Sequence, residues 1–228
     1  MQIPHASVAE ILGRAGYDWV AVDLEHGAIS TAQLPDLFRA LELGGTLPLV
    51  RLGLGDAREC KQALDAGAGG VIVPMVESAE QLERVRAACC WPPAGARGVG
   101  FSRANLFGKN FEAYAEEAQA PLLVAMIEHY HAIDQLDQIL RVKGLDAVFI
   151  GPYDLSASMG MTGRFEELAF VAAIERIRTS AKNHNIPCGL HVVKPQKEEL
   201  QTRIAEGYRF IAYAIDAVFL TEASKMPL

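Results

Sequence analysis

Seven short apolar runs punctuate the chain, and between them apolar positions recur at helical spacing. The runs are Trp19–Leu24, Pro48–Leu52, Gly70–Met75, Leu122–Glu128, Ala147–Gly151, Cys188–Val192 and Phe210–Ile215. They are continuous rather than alternating, which marks parallel strands covered on both faces. The segments between them predict amphipathic helices over Val8–Ala15, Leu34–Leu43, Cys60–Ala66, Ser78–Ala88, Ile133–Leu140, Leu168–Ala181 and Glu198–Ala205. Ser78 and Gln81 stand at capping-box spacing, and Asp56 offers a cap with Glu59 three residues on. Gly44-Gly45, Gly67, Gly144 and Gly207 fall where helix C-termini favour glycine. This alternation predicts an α/β fold with a parallel sheet.

A (β/α)8 TIM barrel needs eight strands. The missing one would precede the first helix, where only "MQI" stands, so the expected architecture is such a barrel with a shortened first strand. An open doubly wound sheet is the alternative, but no Gly-rich phosphate loop supports it. No linker, repeat or low-complexity tract interrupts the chain, so residues 1–228 read as a single barrel domain.

Half of the residues are hydrophobic, enough for a full core. The formal charge of −7 argues against nucleic acid or an anionic membrane as a partner. The cysteines, Cys60, Cys89, Cys90 and Cys188, form no CxxC pair and read as reduced thiols. No apolar run approaches the roughly 18 residues of a membrane span and no signal peptide opens the chain, so a soluble, cytoplasmic protein is expected.

In a parallel barrel, reactive groups sit at the C-terminal ends of the strands. Those ends carry Asp23, Glu25 and His26, then Arg51, Glu128, Asp154, His191 and Asp216. Each alone reads as readily as a cap or a surface ion pair. Together, the carboxylates would repel one another without a cation, and oxygen-only ligands such as Glu128 and Asp154 suit hard Mg²⁺ or Mn²⁺. His129 and His131 flank this position and read as a solvated loop and helix start.

Six stretches occur in order: "GYDWVAVDLEHG" (16–27), "PLVR" (48–51), "GVIVPMVESAEQ" (70–81), "PPAGARGVG" (92–100), "MIE" (126–128) and "FIGPYDLSASMG" (149–160). Together they resemble the class II pyruvate aldolases of the HpcH/HpaI type over nearly the whole chain. "DLEHG" alone is a weak motif; "GARGVG" followed by "GPYDLSASMG" is specific.

The resemblance implies a metal-dependent (β/α)8 barrel that cleaves a 4-hydroxy-2-oxo acid to pyruvate and an aldehyde, and runs in reverse as a carboligase. It implies that Glu128 and Asp154 hold a divalent cation, Mg²⁺, Mn²⁺ or Co²⁺. It places Arg51 beside the keto oxygen, where a fixed charge helps as negative charge develops. It sets the substrate carboxylate against the backbone of Pro152, Tyr153, Asp154 and Leu155. His26 matches the general base that takes the C4 hydroxyl proton through water, chemistry that imidazole performs near neutral pH. Asp65 matches an aspartate that pairs with this histidine from a neighbouring subunit, and Asp23 and Glu25 would support His26 and metal-bound water. Met126 stands where some relatives have glutamine. A homo-oligomer, trimer or hexamer, is implied, with the terminal "AVFLTEASKMPL" as a short form of an exchanged helix.

Three rivals remain at this stage. Lys194 is a Schiff-base candidate, but it sits beside Pro195 in an expected loop. A CoA-ester lyase of the citrate lyase β type, or an oxaloacetate decarboxylase, would use the same barrel and cation. An inactive barrel with a binding role would leave His26, Arg51, Glu128 and Asp154 without purpose.

Overall fold

The computed structural model describes residues 1–226. All seven expected strands form: β1 Trp19–Asp23, β2 Leu47–Arg51, β3 Gly70–Val73, β4 Leu122–Ile127, β5 Ala147–Ile150, β6 Cys188–Val192 and β7 Phe210–Tyr213. They follow one another in sequence order in one sheet, and the registered pairs are parallel. β3 and β5 are buried along their whole length and β4 from Leu123 onward, as unbroken apolar runs require.

The expected eighth strand is the main correction. The sheet has seven strands, and a closed eight-stranded barrel is not what the described residues form. Met1 still bonds like a strand residue: its nitrogen donates to the Ala21 carbonyl at 2.7 Å and its carbonyl accepts from Asp23 N at 3.0 Å. That two-sided bonding sets it opposite Val22 in parallel fashion. The ladder does not run on: the Ile3 carbonyl accepts from His5 N at 2.8 Å, the Glu25 amide is taken by Asp23 Oδ1, and the first helix begins at Ala6.

The helices are α1 Ala6–Gly13, α2 Leu34–Glu42, α3 Ala57–Asp65, α4 Ala79–Cys89, α5 Phe111–Glu117, α6 Tyr130–Asp134, α7 Leu136–Ile139, α8 Pro152–Ser158, α9 Leu168–Asn183, α10 Lys197–Ala205 and α11 Asp216–Ala223. The single helix expected over Ile133–Leu140 is broken at Gln135 (φ −98°, ψ 5°), which yields α6 and α7. The expected terminal helix forms as α11; residues 227 and 228 of that stretch lie outside the described residues. All four cysteines are free and buried.

The chain packs as two compact units, one of Met1–Val73 with Arg84–Leu123, the other of Pro74–Glu83 with the chain from Val124. In the first, Leu34, Phe38, Leu41, Leu49 and Leu64 are fully buried. Its helices α1 and α2 meet at Gly13 and Gly44, where a Cβ on Gly44 would fall 1.9 Å from the Gly13 carbonyl oxygen. In the second, Ile127, Leu136, Ile139, Ile150 and Leu155 are fully buried.

Candidate active site

In the first unit, the chemistry gathers where β1 and β2 end side by side, with Asp23 registered against Arg51. Asp23 Oδ1 accepts from Arg51 Nε at 3.0 Å and from the amides of Glu25 and His26 at 3.0 and 3.1 Å. Its Oδ2 accepts from Gln2 Nε2 at 3.0 Å. Arg51 Nη2 lies 2.8 Å from Glu25 Oε2, so one guanidinium spans both carboxylates. Burial raises the Asp23 pKa, but the Gln2 hydrogen bond, the Arg51 charge and the two amides outweigh it and hold the carboxyl below its ordinary value.

Asp23 therefore folds the segment after β1 into a tight turn and delivers His26 on an exposed bend. The loop after β2 is shaped similarly. Glu59 accepts the amides of Gly53, Leu54 and Gly55 at 2.9 to 3.0 Å, while Asp56 caps α3, as expected, through Glu59 N at 2.8 Å.

Asp65 stands at the end of α3, in a groove of about 650 Å³ whose rim includes Arg39, Arg58, Lys61 and Arg103. Burial raises its pKa, against the opposing pull of Arg97 and Lys61. No hydrogen bond or ion pair joins Asp65 to His26 among the described residues. Arg97 holds its loop: it is 2% exposed, donates from Nη2 to Tyr114 Oη at 2.9 Å, and lies 5.7 Å from the ring centres of Trp91 and Tyr114.

In the second unit, Glu128 follows β4 directly and is 2% exposed. Its Oε1 accepts the amide of Met75 at 2.7 Å. Met75 takes φ 47°, a left-handed conformation that costs a non-glycine residue of order 1–3 kcal/mol. On the other side, a Cβ at Gly151 would fall 2.4 Å from Glu128 Oε2, so glycine at the end of β5 is what leaves room for the carboxylate.

Asp154 stands exposed in the first turn of α8. Pro152 opens that helix without an N–H, and the Leu155 amide is bonded to the Gly151 carbonyl at 2.9 Å. Tyr153 and Asp154 therefore carry the first-turn amides whose partners lie outside the helix ladder. His191 Nε2 donates to the Ala214 carbonyl at 3.1 Å, and Asp216 is buried, accepting from Ala217 N at 3.0 Å.

One cluster escaped the sequence reading. Nδ1 of His131 and of His129 lie 2.9 and 3.3 Å from Glu77 Oε2, and the three ligand atoms lie within 4.8 Å of one another. The signal was a His-x-His spacing directly after β4, but nothing in the sequence linked it to Glu77.

The sequence profile of the HpcH/HpaI aldolase/citrate lyase family matches residues 2–223. The chain belongs to that family. A hydroxypyruvate/pyruvate aldolase of Roseobacter denitrificans is 37% identical over 99% of this chain and 88% of its own length. A 4-hydroxy-2-oxovalerate aldolase of Novosphingobium aromaticivorans is 37% identical over 95% and 82%. The crystal structure of a family member from Burkholderia cenocepacia superposes with a TM-score of 0.91 at 28% identity, covering 98% of this chain and 89% of that one. Identity at this level over most of the chain supports a carbon–carbon lyase. Citrate lyase β-type proteins of Mycobacterium tuberculosis have been solved with magnesium; at 16 to 18% identity these share the fold alone with this chain.

Proposed function

We propose that the chain is a divalent-metal-dependent aldolase that cleaves a 4-hydroxy-2-oxo acid to pyruvate and an aldehyde, and runs in reverse as a carboligase. The proposal takes the seven-stranded sheet as a barrel-type sheet, with reactive groups at strand ends. The observation that carries it is Glu128, a nearly fully buried carboxylate bracketed by the Met75 amide and by Gly151. A buried carboxylate with a backbone donor already aimed at it is a group that a bound cation stabilises further.

The donor set fits a hard divalent ion, Mg²⁺, Mn²⁺ or Co²⁺: Glu128 and Asp154 would hold it, and both offer only oxygen. When bound, the cation supplies Lewis-acid stabilisation of the charge that develops on the 2-oxo acid as its C3–C4 bond breaks.

Arg51 offers a guanidinium already oriented by Asp23 and Glu25, so its charge needs no rearrangement to meet developing negative charge. Tyr153 and Asp154 present backbone donors to the substrate carboxylate, with Pro152 and Leu155 setting the turn. His26 takes the C4 hydroxyl proton through water, on a bend fixed by Asp23. Asp65 supports His26 from a neighbouring copy in a trimer or hexamer, which fits a carboxylate that makes no such contact among the described residues.

The test is proton–deuterium exchange at the methyl group of pyruvate, followed by NMR in D₂O, with EDTA and then with added Mg²⁺, Mn²⁺ or Co²⁺. Exchange that depends on metal and is abolished in Glu128→Ala and Asp154→Ala supports the proposal. Full exchange in either variant, or none with any metal in the folded protein, overturns it.

A further inference from the structure

We propose that Glu77, His129 and His131 form a second metal site, of a different chemical class from the carboxylate pair, that takes a borderline divalent cation, with Zn²⁺ as the preferred ion. The site lies between two loops of the second unit. Glu77 sits after β3, just ahead of α4, and the two histidines open α6 after β4. His129 is the N-cap of α6 and His131 its second residue, which turns both Nδ1 atoms toward one carboxylate oxygen.

The spacing suits metal ligation. Atoms bound at about 2.0–2.2 Å in a tetrahedral site stand about 3.4 Å apart. Here two of the separations are 2.9 and 3.3 Å, and the third does not exceed 4.8 Å.

His129 Nδ1 accepts the His131 amide at 3.3 Å, so a bound ion would take the place of that amide at the nitrogen's single lone pair.

Two imidazoles and one carboxylate select Zn²⁺, Co²⁺ or Ni²⁺ over Mg²⁺, whereas the oxygen-only pair has the opposite preference. The ligands are reachable from solvent, with side-chain exposures of 40% for Glu77, 20% for His129 and 53% for His131. A bound ion would cross-link the loop that carries Met75 to the segment that follows Glu128, the two partners of the 2.7 Å hydrogen bond.

The experiment is calorimetric titration of Zn²⁺ into the full chain, stripped with EDTA and held in excess Mg²⁺ to occupy oxygen-only ligands, with Co²⁺ visible absorption as a second readout. One Zn²⁺ per chain is expected. His131→Ala and Glu77→Gln should each weaken it by tenfold or more, while Glu128→Gln and Asp154→Asn retain it. His131 is exposed, so its alanine variant should keep the wild-type circular dichroism; if it does not, Glu77→Gln decides. Unchanged Zn²⁺ affinity in the cluster variants, or loss confined to the Glu128 and Asp154 variants, overturns the proposal. It stands apart from the aldolase reading, which pyruvate exchange in Mg²⁺ tests separately.

Discussion

Glu128 and Gly151 are matched as carboxylate and vacancy: the space a Cβ would take at 151 lies 2.4 Å from Glu128 Oε2. A side chain at 151 cannot be added without moving Glu128. Gly151→Ala should therefore weaken Mg²⁺ binding by tenfold or more while the protein stays folded, as read by metal titration beside circular dichroism. Wild-type affinity in this variant would show that Glu128 has room to move without consequence.

Met75 takes φ 47°, and its amide donates to Glu128 at 2.7 Å. A β-branched side chain tolerates that conformation worst. Met75→Val is expected to cost about 1–3 kcal/mol in denaturant unfolding, and Met75→Gly to be close to neutral or stabilising. Equal stability of the two variants would remove the strain argument.

Asp23 gives a pH dependence with a definite sign. Its folded pKa is depressed, so the stability it contributes is present above the ordinary carboxylate value near about 3.9 and lost as pH falls through the lower, folded value. Asp23→Asn should destabilise the protein at neutral pH by roughly 1–3 kcal/mol, leaving Arg51 short of a partner, and the gap to wild type should close in acid. A gap that stays constant from pH 6 to pH 2 would contradict the assignment.

Asp65 has the opposite sign. Its folded pKa is raised, so its ionisation opposes folding, and the stability of the neutral form is lost as pH rises through the folded value. Asp65→Asn is expected to be at least as stable as wild type at pH 7 in thermal unfolding, and to lose aldol cleavage by about tenfold or more. Lower stability with full activity would place Asp65 in the fold and not in the chemistry.

His26→Ala should lower aldol turnover by roughly 10²–10⁴ and leave metal affinity within a few-fold of wild type. Calorimetry with Mn²⁺ beside a cleavage assay separates the two. Comparable losses in both would mean that the bend at His26 shapes the metal ligands and does not supply the base.

The seven strands were legible because each is a continuous apolar run long enough to be buried on both faces, and their order followed from the βα alternation. Asp23, Arg51 and Glu128 were legible as candidates because a parallel sheet puts strand ends to use. Less of the rest was written locally. The break at Gln135 and the helices over Phe111–Glu117 and Pro152–Ser158 answer to packing, not to periodicity. The eighth strand does not extend past Met1 because the Ile3 carbonyl turns to His5 N and the Glu25 amide to Asp23.

By itself the sequence determined the class of fold, the family and the residue types at the strand ends, since all three are carried by local pattern and short motifs. Only the tertiary structure decided how Asp23 divides its oxygens among Gln2, Arg51 and two amides, and why position 151 is glycine. It also brought Glu77 to His129 and His131 across more than fifty residues. Such pairings depend on distance in space, and no spacing along a chain encodes them.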